Sequence, residues 1–461
     1  MNLEKGGNMS APSKFLGAET PEDREQIIRL PESIDWDSHI IATYFIKQPT
    51  RDPWRLIGGI ALEQSTGTWI RVPAETWEVR EKYAAKVVGA YEIPNLFQLP
   101  IPEETRTFIV QIAYPVENIP TDISGLLTAV VGNISMAASW NQAVKLIDLW
   151  LPKVWVEDFK GPKFGIEGVR EILKVPKRPV INSMIKPCSG ITPDVHAKLF
   201  YEAAAGGVDI IKDDELLSVQ KYCDPLERVT RCREMIDKAE SEKGEKTLYT
   251  VNITTRLDKL MDLAEKAIEH GANALMLNSA AGFEALRMLA EDPSIKVPLL
   301  FHPAVWGTYS SHPYQGMAYW VTAKLARLCG CDLQLFPSYY GKFPGWTREV
   351  NVAIFSTLRT KFYHIKRSFP GAGGGIHAGM VELAIKDWGL DQQIPAGAGV
   401  HGHPMGPRAG AMSIRQAIDA AMQGIPLDEY AKDHKELKAA LEAWGYVRTP
   451  EDAAKIFDLK A

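Results

Sequence analysis

The sequence contains no apolar run of about 18 residues, the length that a membrane-spanning helix needs. Its first 14 residues lack the apolar core of a secretory signal peptide. Only five of the 461 residues are cysteine, at positions 188, 223, 232, 329 and 331. A small, odd number of cysteines without a secretion signal favours reduced thiols, so we expect a cytoplasmic protein with neither a membrane anchor nor a disulfide framework.

An excess of basic residues is also missing. The chain has 52 Lys and Arg against 57 Asp and Glu, a net charge of −5, whereas nucleic-acid-binding proteins concentrate Lys and Arg. Hydrophobic residues make up 46% of the chain and charged residues 24%, which is typical of globular proteins and excludes disorder for most of its length. We therefore expect a small-molecule substrate rather than a nucleic acid.

Short apolar segments alternate with helical patterns over the C-terminal two thirds of the chain. Eight βα units in about 250 residues predict a TIM barrel, with a doubly wound open sheet as the alternative. The predicted barrel strands are Pro179–Lys186, Val208–Lys212, Thr247–Ile253, Ala272–Asn278, Val297–His302, Asp332–Pro337, Ser368–Gly373 and Gln393–Gly399. One of the predicted helices between them is Gln315–Leu328.

The N-terminal third has a different organisation. Its mixed strands and helices predict an α+β domain of the ferredoxin-like type. The predicted strands there are Ile40–Ile46, Trp69–Val72, Lys86–Ile93 and Thr107–Pro115. We place a disordered or extended leader at 1–35, the α+β domain at 36–157, the barrel at 158–426 and a helical tail at 427–461, with one helix at Leu427–Trp444.

Polar residues end most of the predicted barrel strands. Because the active site of a TIM barrel lies at the carboxyl ends of its strands, these residues are expected to converge on one rim. They include Lys186, Asn252, Asn278 and His302. A buried lysine or carboxylate is costly unless it is paired or bound to a metal, so the pattern indicates a site.

The sharpest motif is Lys212-Asp213-Asp214-Glu215, which directly follows an apolar strand. Its carboxylates could hold Mg²⁺, which prefers oxygen ligands. A lysine ammonium has no lone pair for a metal, but addition of CO₂ to Lys212 would give a carbamate oxygen ligand. The alternative is a solvated charged turn at a strand end, and on the motif alone both interpretations remain open.

With Gly206-Gly207 before it, this motif resembles the large subunit of ribulose-bisphosphate carboxylase (RuBisCO) and its relatives, over about residues 37–444. Four further segments are similar to the family: Glu63–Trp69, Val131-Gly132-Asn133, Gly374-Gly375-Ile376-His377 and Gly402-His403-Pro404. The resemblance implies a carbamylated Lys212 that holds one Mg²⁺ per subunit together with Asp214 and Glu215. It also implies an acid/base role for Lys186, a contact from His302 to a substrate hydroxyl, and a mobile sixth-loop lysine at Lys342.

The resemblance further implies a homodimer with shared active sites. Glu63 and Asn133 would reach in from the partner subunit. The implied cradle for one substrate phosphate comprises Thr68, Trp69, Gly375, Gly397 and Gly399, and Gly373 and Gly374 are further expected substrate-binding residues.

Departures from the family indicate a different substrate. Where carboxylases have a second lysine, an arginine, a phosphate-binding histidine and a serine, this chain has Cys188, Pro303, Leu335 and Gly373. Loss of the arginine and the histidine removes most of one phosphate cradle, since the arginine fork is the side chain best shaped for phosphate. The chain therefore resembles the non-carboxylating RuBisCO-like proteins (form IV), with a monophosphorylated substrate.

Two activities of that branch remain. Lys342 would suit loss of CO₂ from a β-keto acid, which makes decarboxylation of 3-oxo-isoapionate 4-phosphate the first expectation. The segments His302–Val305, Leu335–Ser338 and Ala398–Pro404 instead resemble the methionine-salvage enolase that acts on 2,3-diketo-5-methylthiopentyl 1-phosphate. A carboxylase and a non-catalytic scaffold are the remaining alternatives. His401 and His403 suggest either a metal pair or a shaped loop.

Overall fold

Eight parallel strands close into a barrel in the computed structural model of the chain, which describes residues 21–49, 52–68, 71–93, 105–136, 143–343 and 345–457. The chain forms two compact units. One comprises the chain up to Asp158 together with His312–Val321, and the other comprises Phe159–Ser311 and the chain from Thr322 onward. The predicted TIM barrel is confirmed, and the open-sheet alternative is wrong.

The first unit contains a mixed sheet. Its described strands are β1 (His39–Pro49), β2 (Lys86–Glu92), β3 (Thr105–Pro115), β4 (Ala143–Trp150) and a fifth strand at Gln315–Met317. The order across the sheet is Gln315–Met317, β4, β1, β3, β2; the first pair is parallel and the others are antiparallel. This sheet confirms the predicted α+β character of the N-terminal region.

The described helices of the first unit are α1 (Pro21–Ile27), α2 (Pro53–Glu63), α3 (Trp77–Tyr83), α4 (Ile123–Val131) and α5 (Lys153–Val156). Helix α1 corrects the predicted leader, since Gln26 and Ile27 are buried and Arg29 N donates to Val87 O at 2.9 Å. Burial of Ile27 and this backbone hydrogen bond to strand β2 anchor the segment against the first unit. The strand predicted at 69–72 is also wrong in its described half, because Arg71 and Val72 lie in a loop.

The barrel strands are β5 (Val180–Met184), β6 (Ile210–Lys212), β7 (Leu248–Asn252), β8 (Ala274–Asn278), β9 (Leu299–His302), β11 (Leu333–Pro337), β12 (Phe369–Gly373) and β13 (Gln393–Pro395). The label β10 belongs to Gln315–Met317, in the first unit's sheet. All eight barrel strands lie within the predicted segments.

The helices that follow α5 along the described chain alternate with these strands and then continue beyond the barrel. They are α6 (Gly165–Leu173), α7 (Pro193–Ala205), α8 (Pro225–Lys243), α9 (Leu257–Glu269), α10 (Phe283–Glu291), α11 (Trp306–Ser310), α12 (Tyr319–Leu328), α13 (Arg348–Arg359), α14 (Val381–Trp388), α15 (Ala398–His401), α16 (Pro407–Gln423), α17 (Leu427–Tyr430), α18 (Lys435–Trp444) and α19 (Pro450–Ile456). Two predicted helices need correction: Gln315–Leu328 begins with a strand, and Leu427–Trp444 is two helices.

Local sequence fixes where the helices near the site begin. Thr192 caps α7 by accepting from Val195 N, and Asp224 caps α8 by accepting from Leu226 N and Glu227 N. Each cap is followed by proline at the first helical position, where a missing N–H costs nothing. None of the described helices is long and apolar enough to cross a membrane.

Candidate active site

Alternation along the barrel strands places the polar residues inside the barrel. Val180, Ile210, Leu248 and Leu300 belong to one buried core cluster. Since side chains of a strand alternate between two faces, Lys212, Asn252 and His302 share the inner face with these residues, at the carboxyl ends. The structure thus brings together the strand-end residues that the sequence singles out.

Two lysine–carboxylate pairs form the centre of the site. Lys186 Nζ lies 2.5 Å from Asp214 Oδ2, and Lys212 Nζ lies 3.0 Å from Glu215 Oε2. Lys212 is fully buried, and His302 Nε2 lies 3.4 Å from the same oxygen of Glu215. The motif is therefore not a solvated turn, and the residues predicted as metal ligands and acid/base groups are within contact distance of each other.

Burial and these pairs set the charge states of the site. Burial would raise the pKa of Glu215, but the positive charge of Lys212, with His302 nearby, lowers it to about 2. Burial would lower the pKa of Lys186, but its hydrogen bonds with Asp214 and Cys188 raise it. Burial, with Lys212 nearby, lowers the pKa of His302 to about 3. At neutral pH Glu215 is therefore a carboxylate and Lys186 is charged, beside the neutral imidazole of His302.

The donor set fits a divalent cation only after one change. The two lysines and two carboxylates sum to 2 − 2 = 0 charges, and no group of three His, Cys, Asp or Glu able to hold a metal occurs among the described residues. Addition of CO₂ to Lys212, with loss of two protons from its ammonium, turns its +1 into −1. The sum becomes −2, and three oxygen donors, from Lys212, Asp214 and Glu215, match what Mg²⁺ prefers.

Asp213 faces away from these pairs into a second buried cluster, which sequence reasoning missed. It accepts from Arg228 Nη2 at 2.8 Å, from Tyr249 OH at 2.7 Å and from Asn252 N at 2.9 Å. His196 Nε2 lies 3.1 Å from its Oδ1. Burial would raise the pKa of Asp213, but Arg228 and His196 hold it well below its usual range. The cluster anchors the residue between Lys212 and Asp214.

Two asparagines fix the backbone of the same motif. Asn252 Nδ2 donates to Asp214 O and Glu215 O, both at 3.2 Å, and Asn278 Nδ2 donates to Glu215 O at 2.9 Å. Their position at two strand ends was a usable signal, but their partners lie 37 to 63 residues away in sequence. Both side chains therefore support the backbone of the Lys212–Glu215 motif directly.

The glycines of the predicted phosphate cradle adjoin the sixth-loop lysine. Lys342 N donates to Gly374 O at 2.8 Å, and the Lys342 side chain is exposed. Gly374 and Gly375 have φ values of 94° and 93°, which favour glycine. A Cβ on Gly375 would lie 3.4 Å from Lys342 Cβ. Gly373 ends β12 against Pro395.

Gly397 and Gly399 lie on the eighth loop in different surroundings. A Cβ on Gly397 would meet Met184 Sδ at 2.6 Å and Lys186 Cε at 3.1 Å. A Cβ on Gly399 would instead meet the backbone oxygen of Ile376 at 2.3 Å. The first glycine leaves room for the predicted acid/base lysine, and the second allows two loops to approach.

The predicted substrate-binding residues of the N-terminal region lie in the first unit. Asn133 Nδ2 donates to Glu63 Oε1 at 3.2 Å, so the structure brings these two together. Thr68 is exposed. Trp69 lies outside the described residues.

The residues at which this chain differs from the carboxylases do not provide the cationic side chains expected there. Lys186 Nζ donates to Cys188 Sγ at 3.1 Å, so a thiol stands where a second lysine is expected. Leu335 is 5% exposed within the buried core cluster of the barrel, and Pro303 follows the histidine that ends β9. These positions offer no cation to a second phosphate.

The chain has an α+β domain followed by a parallel barrel, and the barrel carries a lysine and two carboxylates at its carboxyl rim. This combination is typical of a RuBisCO-type protein. The chain belongs to the ribulose bisphosphate carboxylase large-chain family, since residues 165–444 match the family's large chain, catalytic domain, and residues 32–155 match its large chain, N-terminal domain.

Similar proteins include RuBisCO-like proteins as well as ribulose bisphosphate carboxylases. The chain is 49% identical over 437 residues to a ribulose bisphosphate carboxylase-like protein of Archaeoglobus fulgidus, covering 93% of this chain and 98% of that one. It is 37% identical over 412 residues to the 2,3-diketo-5-methylthiopentyl-1-phosphate enolase of Bacillus licheniformis, covering 89% and 99%. The crystal structure of a rubisco-like protein (MtnW) from Alicyclobacillus acidocaldarius matches with a TM-score of 0.81 at 36% identity, covering 88% and 100%.

Proposed function

We propose that the protein is a Mg²⁺-dependent enolase that acts on 2,3-diketo-5-methylthiopentyl 1-phosphate. The observation that carries the proposal is the pair of lysine–carboxylate contacts at the barrel rim, with Lys186 2.5 Å from Asp214 and Lys212 3.0 Å from Glu215. Similarity to an enolase of that name along almost its whole length supports this substrate over the 3-oxo-isoapionate 4-phosphate that the sequence placed first.

The reaction is a proton transfer that needs no other reactant. A base removes a proton from carbon 1, next to the carbonyl at carbon 2, and a proton is returned to the oxygen of that carbonyl, so that a ketone becomes an enol. Bound Mg²⁺ would stabilise the developing oxyanion as a Lewis acid. The chain must therefore hold the ketone, supply the base and exclude water.

Lys186 is the residue placed to serve as this base. Its ammonium is held by Asp214 Oδ2, and that contact raises its pKa. When Asp214 is used as a metal ligand, its negative charge no longer stabilises the ammonium as strongly, so Lys186 loses its proton more readily. His302, held neutral by burial, can donate to or accept from a substrate oxygen.

A carboxylase function fits this site less well. Carboxylation of ribulose bisphosphate needs two phosphate cradles, and the positions for the second hold Pro303 and a buried Leu335. The glycine loops with Gly375, Gly397 and Gly399 remain for one phosphate.

The test is exchange of the carbon 1 proton of 2,3-diketo-5-methylthiopentyl 1-phosphate in D₂O, with enzyme preincubated with Mg²⁺ and bicarbonate. We expect exchange and product formation that disappear in Lys212→Ala and fall by at least about 10²-fold in Lys186→Met, the range that general base catalysis contributes. Omission of bicarbonate should weaken both Mg²⁺ binding and exchange. Full activity of Lys212→Ala would contradict the proposal.

Lys342 favours a second candidate, decarboxylation of 3-oxo-isoapionate 4-phosphate. In that reaction the bond to the carboxylate breaks, CO₂ leaves, and the electron pair stays as an enediolate that is then protonated. The backbone N and the Cβ of Lys342 adjoin Gly374 and Gly375, and its exposed side chain could face a substrate carboxylate there. CO₂ release that is lost in Lys342→Ala would favour the decarboxylase, whereas enolisation retained by that variant would favour the enolase.

A homodimer with shared active sites is part of the proposal. Glu63 and Asn133, joined at 3.2 Å in the first unit, would act in the site of the partner subunit.

A further inference from the structure

His401 lies on the loop that approaches the proposed base. It ends the short helix α15, and its backbone N donates to Gly397 O at 2.9 Å. Gly397 itself lies against Lys186, since a Cβ there would be 3.1 Å from Lys186 Cε. The segment that carries His401 therefore packs against the lysine of the site.

The imidazole of His401 has no protein partner in the described part of the chain. Both ring nitrogens are buried, and neither makes a hydrogen bond to another described residue. A neutral imidazole has one donor and one acceptor, and leaving both unmatched away from water costs free energy. Such a group calls for a partner from outside the chain.

His403, two residues further on, shows what a structural histidine of this loop looks like. Its Nε2 lies 3.0 Å from Glu436 O, and Met405 N donates to its Nδ1 at 3.1 Å. Both nitrogens are satisfied within the protein. The two histidines are therefore not a metal pair, and only His401 has free hydrogen-bonding capacity among these two.

The charge state of His401 suits a role in binding. Burial lowers its pKa to about 4, and the nearby His196 and Lys186 contribute to the decrease. At pH 7 the imidazole is neutral, so it can donate one hydrogen bond without adding a buried charge.

We propose that His401 binds the substrate directly by donating a hydrogen bond to an acceptor oxygen of the phosphorylated ketone. The inference rests on the proposed function for the class of substrate. Phosphate and carbonyl oxygens offer the same acceptor chemistry, and the experiment distinguishes them.

The experiment compares His401→Phe and His401→Asn with the control His403→Phe. We expect the melting temperature of His401→Phe to stay equal or rise, because an apolar ring replaces a polar group without partners. Its KM for 2,3-diketo-5-methylthiopentyl 1-phosphate should rise about tenfold, with a smaller change in kcat. His403→Phe should lower the melting temperature, since it leaves Glu436 O and Met405 N without their partner.

A binding measurement that needs no turnover complements the kinetics. Inorganic phosphate is added to the protein preincubated with Mg²⁺ and bicarbonate, and the increase in melting temperature is recorded. If phosphate raises the melting temperature of both His401 variants less than that of the wild type, the acceptor of the His401 hydrogen bond is a phosphate oxygen. If phosphate raises it normally but KM is raised, the acceptor is the ketone oxygen. An unchanged KM together with an unchanged phosphate effect overturns the proposal.

Failure of the proposed function gives a different result. If the wild type enolises no diketone phosphate, the increase in melting temperature on addition of inorganic phosphate still tests whether His401 binds an acceptor oxygen. A weaker effect in the variants supports the proposal, and an equal effect overturns it.

Discussion

Two glycines of the eighth loop lead to opposite predictions at the scale of single residues. Gly397→Ala should reduce proton exchange at least about tenfold with little loss of stability, because the new Cβ displaces the flexible ends of Met184 and Lys186. Gly399→Ala should instead cost about 1–3 kcal/mol of unfolding free energy, since Ile376 O is backbone and cannot move aside. Exchange assays and urea unfolding of both variants separate the effects; equal stability losses would contradict the assignment.

His377 predicts a pH dependence of stability. Burial lowers its pKa to about 4, below the value of about 6.5 in an unfolded chain. Between these values the unfolded state binds more protons, so stability decreases as the pH falls from 6.5 towards 4. His377→Asn keeps an acceptor for Gly379 N. It should lower the number of protons taken up on unfolding by nearly one, so that stability depends less steeply on pH. Urea unfolding between pH 4.5 and 6.5 checks this, with pH 8 as the reference; unchanged slopes would refute it.

The sequence predicted some of these residues and missed others for a physical reason. Lys186, Lys212 and His302 could be predicted because each ends an apolar strand, and strand ends meet on one rim. The partners of Asp213 could not, since Arg228 comes from a helix 15 residues later and Tyr249 from another strand. The sequence also does not show which of His401 and His403 lacks hydrogen-bond partners among the described residues, because this depends on residues that only the fold brings close to them.

At the scale of secondary structure elements, the Asp213–Arg228 pair joins strand β6 to helix α8. Arg228→Met should cost about 3–5 kcal/mol, because it leaves a fully buried carboxylate without its main partner. The control Arg231→Met, on the same helix, replaces a side chain that is 46% exposed and should cost less than about 1 kcal/mol. Urea unfolding of both variants measures the difference, and similar costs would show that the buried pair does not hold the motif.

The secondary structure elements were predicted correctly where their own residues determine the conformation. The eight barrel strands are short apolar segments between turn residues, and all were found. The strand at Gln315–Met317 was predicted as helix, because its conformation depends on pairing with β4, about 170 residues earlier. Helix Leu427–Trp444 was predicted as one piece because the charged stretch between Tyr430 and Lys435 keeps an amphipathic pattern.

At the scale of the whole molecule, a shared active site predicts complementation. Glu63→Gln and Lys212→Ala should each be inactive alone. When the two are co-expressed, a mixed dimer would have one site with both defects and one site with neither, so random pairing should restore about a quarter of wild-type activity in a twofold-symmetric dimer. The mixed dimer, purified with separate tags on the two chains, should itself have about half of wild-type activity, since one of its two sites is intact. An inactive mixed dimer would contradict sharing.

Strand β10 has a consequence for any attempt to divide the protein. The first unit takes this strand from His312–Val321, so no single cut separates the chain into two complete pieces. A fragment ending at Asp158 would leave the β10-pairing edge of β4, with Val144 and Leu146, open to pairing with other chains. Expressed alone, that fragment should self-associate, and a version with a grafted edge strand should remain monomeric. Transfer of the complete first unit of this chain into another protein would therefore have to move two segments at once.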